Sequence, residues 1–396
     1  MTTPENCPVV LMVMLCMRCS LGGAEKRYAR VFKMLVAQPG ARHKLLINRA
    51  MLALLEAAGI FSQAQAPHLI VLDPPFRRLV RAENAGGLIG RWLRFVLTAL
   101  DVLWFIWQYG RVVGRLQPDV VHPLLTGMYL SLPVMLFKQN IRYVMSDYST
   151  LFRPREYMHT ARSVDIAAGL KRYALQRCHA IDALTPSIRD NLLARDIDDA
   201  KIHVAPCSFT DVSLCKPAEH RARWVVFVAR LIEYKNPLLF ARAIPKILEQ
   251  APDARFYILG RGPLQAELES LVRSLDIDAC TTIRFDPRPT QILNQSSIFV
   301  SLQAADNYPS QSLLEAMACG NAIVATDVGE TWRLVDETNG ARVPASSEAI
   351  AGAIVRLLND PQLPQYQRAS RERVLNQHTP ERFFDYIAGV YWNPED

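Results

Sequence analysis

Residues 306–320 combine a polar loop with a short helical segment, and their types suit the binding of a diphosphate. Pro309 fits the first turn of a helix, Ser310 can accept from the free N–H groups there, and Gly320 can end the helix. Those free N–H groups and the positive end of the helix dipole attract an anion. The amides that would point at the anion are those of Ser310, Gln311 and Ser312.

Glu315 follows on the same predicted helix and could bind hydroxyl groups. It lies about 7 Å beyond Ser310 along the helix axis, at about 1.5 Å per residue. A carboxylate at that depth can accept hydrogen bonds from both ribose hydroxyls while a diphosphate occupies the helix start. An ordinary capped helix with a surface glutamate explains the same spacing, so the residues alone leave both interpretations open.

The segment 306–330 resembles the donor-site signature of retaining glycosyltransferases of family four. In that family two glutamates separated by seven residues precede an Ala-Met-Ala-x-Gly run. The second glutamate falls on Glu315 and the first on Asn307. The resemblance implies that Asn307 hydrogen-bonds the transferred sugar without bringing a negative charge. Asp306 could take its place only if the loop bulged by one residue.

Arg230 and Lys235 match the family's Arg-x4-Lys element, whose two cations bind the donor diphosphate. The leaving nucleoside diphosphate gains negative charge as the glycosidic bond breaks, and fixed cations stabilise that charge where no metal does. The resemblance therefore implies a site without metal or cofactor in which Arg230 and Lys235 are catalytic. An arginine and a lysine at this spacing are also common on solvated surfaces.

Two more elements in the second half of the chain resemble parts of the same site. Gly260-Arg261-Gly262-Pro263 follows an apolar run and resembles the family's Gly-x-Gly-Pro element. A simple strand-to-helix turn is the alternative. Phe285 aligns with the family's loop near the donor's base, and a core phenylalanine is the competing interpretation.

Strand-like apolar runs alternate with helical patterns along the whole chain, which predicts an α/β fold with two Rossmann-like domains. The first run falls within 8–17. The others are 69–72, 120–122, 142–145, 180–184 and 202–205, and, after a restart near Lys216, 224–228, 256–259, 282–285, 298–302 and 322–325. The resemblance implies the GT-B architecture, in which the two domains face each other across a cleft.

The strand rhythm and the resemblance together predict three segments. Residues 1–215 are the acceptor-binding domain and residues 216–378 the nucleotide-sugar-binding domain. Residues 379–396 are a helix that crosses back to the first domain.

In the first domain the resemblance assigns four further residues. Gly22 and Gly23 form a loop that could approach the donor closely because glycine has no side chain, with an ordinary turn as the alternative. His122 is implied to contact the sugar or the acceptor, or else to bond to backbone at a strand end. Asp147 is implied to contact the acceptor, and a cap or turn role is the alternative.

The charge and the cysteine content limit which binding partners and which cellular compartment are expected. The net charge is +7, and residues 1–215 hold 26 Lys and Arg against 16 Asp and Glu. This excess favours an anionic partner, either a membrane surface or an anionic acceptor. We find no aromatic-interleaved basic stripe or known binding motif, so nucleic acid is not an expected partner. The eight scattered cysteines favour reduced thiols in a cytoplasmic protein.

Residues 88–111 form an apolar segment that holds three of the six tryptophans and has arginines near its ends. Its longest uncharged stretch, 102–109, is too short to span a hydrocarbon core of about 30 Å. Two interpretations stay open: an interfacial helix on a membrane, or a buried helix packed on the sheet.

The resemblance therefore implies a retaining, metal-independent glycosyltransferase. It would move a sugar from a nucleotide donor to a lipid-linked or polysaccharide acceptor at the cytoplasmic face of a membrane. UDP-sugars are favoured as donors over GDP-sugars because they are the family's commonest. Two other functions compete: a non-catalytic relative that binds a nucleotide sugar or glycan, and a sugar-nucleotide epimerase on the same architecture.

Overall fold

The protein forms two compact α/β units, each built on one parallel sheet, as predicted. The computed structural model describes residues 8–15, 21–76, 88–124, 126–147, 161–306 and 308–392. The first unit comprises Met1–Pro206 and Phe384–Asp396, and the second comprises Cys207–Phe383.

The second unit begins nine residues before the predicted start at 216 because the intervening segment packs inside it. Phe209 stacks on Phe383, with ring centroids 4.8 Å apart. The Gln311 side-chain amide donates to Ser208 Oγ at 3.3 Å. These partners lie more than 100 residues away in sequence, so residues 207–215 belong to the second unit.

Seven strands form the sheet of the first unit, in the order β3-β2-β1-β4-β5-β6-β7. They are β1 (Val10–Met14), β2 (Lys44–Asn48), β3 (Leu69–Leu72), β4 (Val120–Pro123), β5 (Arg142–Asp147), β6 (Ala180–Ala183) and β7 (Ile202–Val204). The helices are α1 (Gly23–Val36), α2 (Arg49–Ala57), α3 (Leu88–Leu116), α4 (Thr126–Phe137), α5 (Ala161–Arg177) and α6 (Pro186–Leu193).

Six strands form the second sheet, in the order β10-β9-β8-β11-β12-β13. They are β8 (Ala222–Val228), β9 (Arg255–Leu259), β10 (Thr281–Arg284), β11 (Ser296–Ser301), β12 (Ala322–Thr326) and β13 (Gly340–Val343). The helices are α7 (Pro237–Leu248), α8 (Gln265–Ser274), α9 (Thr290–Leu293), α10 (Gln311–Ala318), α11 (Ser347–Asn359) and α12 (Leu363–Gln377), and a last helix, α13 (Pro380–Trp392), follows.

Alternate residues of β8 enter two cores, one on each face of the second sheet. Val225 and Phe227 pack with residues of α7, α8 and α11, whereas Val226 packs with residues of α10 and α12. Because both faces are covered, residues 224–228 of this strand form a continuous apolar run without the alternation of a half-exposed strand. Burial on both faces fixes where its carboxyl end, and the residues that follow it, must lie.

Helix α3 has one buried and one exposed apolar face, so neither interpretation of 88–111 describes it alone. Phe105, Tyr109 and Val113 are buried in the core of the first unit, while Leu103 and Trp107 are 62% and 55% exposed. By length and composition, Phe95–Leu116 could cross a membrane; an 18-residue stretch of it has a mean hydropathy of 1.2, and 22% of that stretch is buried.

Candidate nucleotide-sugar site

The predicted donor-site elements lie at the carboxyl edge of the second sheet. Strand β8 pairs with β9 on one side and with β11 on the other, so the strand order reverses between β8 and β11. Ligands of open α/β sheets bind at such a switch point, outside the carboxyl ends of the strands. Arg230 follows β8, and the loop 302–310 follows β11.

Arg230 is exposed directly after β8, on a segment that the glycine turn after β9 holds in place. The Leu231 N–H donates to the Arg261 carbonyl at 3.1 Å. A Cβ at Gly260 would lie 1.9 Å from the Ala229 carbonyl oxygen, so only glycine permits this approach. The Arg230 side chain makes no hydrogen bond or ion pair with any residue that the structure describes, which leaves its guanidinium available to an anion.

Lys235 reaches from the β8 side of the switch point to the β11 side. Its Nζ donates to Gln303 Oε1 at 2.5 Å. Gln303 follows β11 and is itself fixed, since its N–H donates to Thr326 Oγ1 at 2.8 Å. The ammonium group is therefore held at the end of β11, where the loop toward α10 begins.

The loop between β11 and α10 is tied to its neighbours through Asp306. Asp306 Oδ1 accepts from the N–H groups of Tyr308 at 3.1 Å and Glu330 at 3.2 Å. The Tyr234 hydroxyl lies 2.6 Å from the Asp306 carbonyl oxygen. These bonds give the Asp306 carboxylate a structural role and do not support its substitution for the family's first glutamate. Asn307, the predicted sugar contact, lies outside the described residues.

Helix α10 begins without a side-chain cap. Ser310 is its N-cap residue, but Ser310 Oγ bonds to Ser312 Oγ at 3.1 Å and not to the first-turn amides. Gly320 ends the helix with φ 71°, as predicted. The side-chain cap that the sequence predicts for Ser310 is therefore absent, and anion binding by the first-turn amides stays a prediction.

Glu315 is buried at 4% exposure on the same helix, so the interpretation of a surface glutamate is wrong. A buried carboxylate is costly unless polar groups accompany it, and Glu315 has interactions of its own. Its position on the helix places the carboxylate deeper than the first-turn amides, as the spacing predicts.

Phe285 is not a core residue: it is 53% exposed, directly after β10. The Arg261 guanidinium lies 4.5 Å from the centre of its ring. An exposed aromatic ring beside a cation can stack on a nucleobase. Sequence reasoning did not single out Arg261, although its place between the two glycines of the β9 turn was the available signal.

In the predicted glycine loop of the first unit, a backbone amide already donates a hydrogen bond to a carboxylate of the same chain. The Gly22 N–H donates to Glu25 Oε2 at 2.9 Å, at the start of α1. A second anion at this amide would face the Glu25 charge. The structure therefore favours the ordinary turn for Gly22 and Gly23 over an approach to the diphosphate.

His122 is fully buried in the first unit, and both ring nitrogens are bonded. Ser146 Oγ donates to Asp182 Oδ2 at 2.7 Å and so accepts from His122 Nε2–H, also at 2.7 Å. His122 Nδ1 then accepts from the Tyr391 hydroxyl at 2.6 Å. This arrangement corrects the prediction of a direct sugar or acceptor contact, because the imidazole ties α13 to the sheet.

Asp147 is also buried, and it forms an ion pair with Lys171 Nζ at 2.7 Å. The exposures of the two side chains are 4% and 1%. Burial lowers the pKa of Lys171, and the Asp147 charge opposes this shift. The carboxylate is thus engaged inside the unit, which does not support the predicted acceptor contact.

Burial of neutral histidines predicts a loss of stability in acid. Burial lowers the pKa of His122 to about 4 from 6.5, so below pH 6.5 the unfolded chain binds a proton that the folded chain does not. The free energy of unfolding should therefore fall between pH 6.5 and 4, by up to about 1.4 kcal/mol per pH unit for this histidine. His43 and His378 have the same shift and add to the slope.

Urea unfolding at pH 7.5, 6.5, 5.5 and 4.5 measures this slope. His122→Asn should reduce it, and the exposed His220→Gln should leave it unchanged. An unaltered slope in His122→Asn would contradict the assignment of a buried, neutral imidazole.

Among the residues that the structure describes, no group of three or more His, Cys, Asp or Glu side chains is arranged to hold a metal ion. Arg230 and Lys235 bring two cations to the switch point of the second sheet, where the carboxylates of Asp306 and Glu315 also lie, and Arg261 follows along the same edge.

Family models match both units. Residues 63–209 match the model "Glycosyltransferase Family 4", and residues 222–360 match "Glycosyl transferases group 1". The chain belongs to the family-four glycosyltransferases. The second match contains the whole switch-point site, from Arg230 to Glu315.

Curated relatives of this chain align over part of their length. A phosphatidyl-myo-inositol mannosyltransferase from Mycolicibacterium smegmatis is 29% identical over 176 residues, which cover 42% of this chain and 44% of the relative. An α-1,4-N-acetyl-D-galactosaminyltransferase from Campylobacter jejuni, named for an undecaprenol-linked substrate, is 31% identical over 109 residues, covering 27% and 30%. The aligned segments thus span less than half of either relative.

Solved structures share the fold over nearly the whole chain. HepE from Anabaena, in complex with UDP and glucose, has a TM-score of 0.72 at 15% identity and covers 97% of this chain and 99% of its own. The pneumococcal O-GlcNAc transferase GtfA, in complex with UDP and GlcNAc, has a TM-score of 0.69 at 13% identity, covering 99% and 100%. The chain therefore has the GT-B fold.

Proposed function

We propose that this protein transfers a sugar from a nucleotide sugar to an acceptor, with retention of configuration and without a metal ion. The observation that carries the proposal is the meeting of three features at one switch point. These are the uncapped start of α10, the buried Glu315, and the cations Arg230 and Lys235. The diphosphate binds the helix start and the cations, and the ribose hydroxyls donate to Glu315.

The cations replace a metal in stabilising the leaving group. At about 4 Å and an effective dielectric constant of about 20, one ion pair contributes on the order of 4 kcal/mol. Interactions that strengthen as the diphosphate leaves lower the barrier directly. As in the family the chain resembles, the leaving phosphate accepts the acceptor's proton on the same face, and Asn307 hydrogen-bonds the transferred sugar.

UDP-sugars are the favoured donors and GDP-sugars the alternative. The similar structures of HepE and GtfA contain UDP, and a more distant relative from Mycobacterium tuberculosis is named as GDP-mannose-dependent. In this chain the base stacks on Phe285, beside the Arg261 guanidinium.

The acceptor is a lipid-linked sugar or a polysaccharide, reached at the cytoplasmic face of a membrane. The names of the Mycolicibacterium and Campylobacter relatives specify phosphatidyl-myo-inositol and undecaprenol-linked substrates. The excess of Lys and Arg in residues 1–215 supports an anionic acceptor or membrane as partner.

A non-catalytic nucleotide-sugar-binding relative is the second candidate. It is favoured by the burial of His122, whose ring nitrogens are both bonded, and by the uncharged Asn307 where the family has a glutamate. Such a protein would bind the nucleotide at the same switch point and leave the sugar in place.

Donor turnover distinguishes these functions. With UDP-glucose, UDP-N-acetylglucosamine and GDP-mannose tested in the presence of EDTA, we expect one donor to release its nucleoside diphosphate. The release should be faster when a lipid-linked or glycan acceptor is present. The product should keep the α configuration of the donor sugar. Nucleotide binding without release identifies the non-catalytic relative. Conversion of the donor sugar without release identifies an epimerase. Activity that requires a divalent metal contradicts the role given to Arg230 and Lys235.

A further inference from the structure

The first unit exposes an apolar helix face that its own core does not use. On α3, Leu93, Leu100, Leu103 and Trp107 share one side, and all are between 39% and 62% exposed. The opposite side holds Phe105, Tyr109 and Val113, which are buried. An exposed apolar face of this length on a folded unit indicates a binding surface.

The exposed face continues onto the two neighbouring helices, α4 and α5, on the same side of the sheet. Near the carboxyl end of α4, Leu136 is 47% and Phe137 84% exposed. On α5, Leu170 is 43% and Tyr173 39% exposed. The three helices therefore present one surface, here called the α3–α5 face.

A pocket of about 260 Å³ opens beside this face, between the carboxyl ends of α4 and α5 and the starts of β5 and β6. Leu136 and Tyr173 belong to both the face and the pocket wall. The other lining residues are Leu132, Met135, Gln139, Tyr143, Arg177 and His179. The pocket is thus at the amino edge of the first sheet, opposite the edge where α/β sheets bind their substrates.

Tyr143 belongs to the pocket wall and is almost fully buried. The residue is 1% exposed, and its hydroxyl has no hydrogen-bond partner among the residues that the structure describes. That hydroxyl has almost no accessible surface, so it does not define the ligand. A ligand of this pocket must instead fit apolar walls and the cation of Arg177.

The charges around the face match an anionic partner. The Arg177 guanidinium lies over the Tyr173 ring at 4.9 Å, and that of Arg111 over the Trp107 ring at 4.7 Å. The acidic residue of α3, Asp101, is buried and accepts from the Phe76 N–H at 3.0 Å. The exposed side of the helix therefore carries apolar and cationic groups, the composition of an interfacial membrane helix.

We propose that the α3–α5 face docks on an anionic phospholipid bilayer and that the adjacent pocket holds part of one phospholipid. The lipid phosphate pairs with Arg177, and the lipid chain lies against Leu132 and Met135. The pocket is smaller than the roughly 300 Å³ of ordinary small-molecule sites, which suits part of a lipid and not a nucleotide sugar. Helix α3 lies on the bilayer and does not cross it, because its other face is part of the core. This inference is independent of the proposed transfer site.

Vesicle flotation tests the docking surface. The purified full chain should float with vesicles containing 30% phosphatidylglycerol in phosphatidylcholine, and at least tenfold less with phosphatidylcholine alone. Trp107→Glu should reduce binding to the anionic vesicles at least tenfold. Trp332→Glu is the matched control, since Trp332 is 59% exposed on the second unit and its replacement should have no effect. Equal flotation of wild type and Trp107→Glu would overturn the proposal.

The pocket is tested without a bilayer, by thermal shift with dihexanoyl-phosphatidylglycerol below its critical micelle concentration. The lipid should stabilise the wild type, and Arg177→Gln should abolish the shift. Arg172→Gln is the control on the same helix, because Arg172 pairs with Asp196 outside the pocket and should keep the shift. Inorganic phosphate at the same concentration should give none. No shift with the lipid, or an equal shift in Arg177→Gln, would exclude a phospholipid site in this pocket.

Discussion

Replacing Arg230 with alanine should lower kcat/KM for sugar transfer by about 100- to 1,000-fold. The guanidinium is exposed directly after β8 and is not engaged by any described residue, so it is available to the leaving diphosphate. Its contribution grows as the glycosidic bond breaks, and most of the loss should therefore appear in kcat. The measurement is steady-state transfer of a labelled sugar with saturating acceptor.

Lys235→Ala should produce a loss of the same order, because the ammonium is fixed by Gln303 at the other side of the switch point. Arg242→Ala is the control, since Arg242 is an exposed cation on α7 of the same unit and should change kcat/KM less than twofold. A loss below about threefold in both Arg230→Ala and Lys235→Ala would remove cationic stabilisation of the leaving group from the mechanism.

Replacing Asp147 with alanine should lower the free energy of unfolding by about 3–5 kcal/mol. The variant leaves the Lys171 ammonium buried at 1% side-chain exposure without the carboxylate 2.7 Å away. Burial already lowers the pKa of Lys171, so part of the cost should appear as deprotonation of this lysine. Urea unfolding at pH 7.5 measures the difference.

The double variant Asp147→Leu/Lys171→Met separates a buried pair from a simple packing loss. Removing both charges together should recover most of the stability, because neither charge is then left uncompensated. Replacing the exposed Arg172, which pairs with Asp196, should cost less than about 1 kcal/mol. A double variant as unstable as Asp147→Ala would contradict the pair's assignment.

Most strands could be predicted because they are buried apolar runs, but two were missed. Strand β13 contains Gly340, Ala341 and Arg342, and as an edge strand it needs no continuous apolar sequence. Strand β2 is a short apolar run, and helix α2 begins at the residue directly after it. Both are fixed by pairing with a neighbouring strand, which local sequence does not record.

The positions of the second unit's motifs were predictable because these motifs follow strand ends. Where Arg230, Gly260 and Phe285 lie depends mainly on the strands before them, and the sheet order then brings them to one edge. The roles of Asn307 and the other donor contacts stay predictions. Phe285 was harder to place, since its contact with Arg261 joins it to the turn after the neighbouring strand β9.

The first unit was less predictable because its polar residues find partners far along the chain. His122 bonds to Tyr391, 269 residues later, and Asp147 pairs with Lys171 on a different element. A polar residue at a strand end has the same local sequence whether it faces a ligand or a buried partner. Only the tertiary structure distinguishes the two.

Binding of a nucleoside diphosphate at the carboxyl edge of the second sheet is tested most directly by thermal shift with UDP, GDP, ADP, CMP and dTDP in EDTA. One nucleotide should stabilise the wild type, by about 2.7 kcal/mol at 100 times its Kd. Glu315→Gln should weaken that shift, and the exposed Glu337→Gln should keep it. No shift with any nucleotide, or an equal shift in Glu315→Gln, would contradict a nucleotide-sugar site at the switch point between β8 and β11.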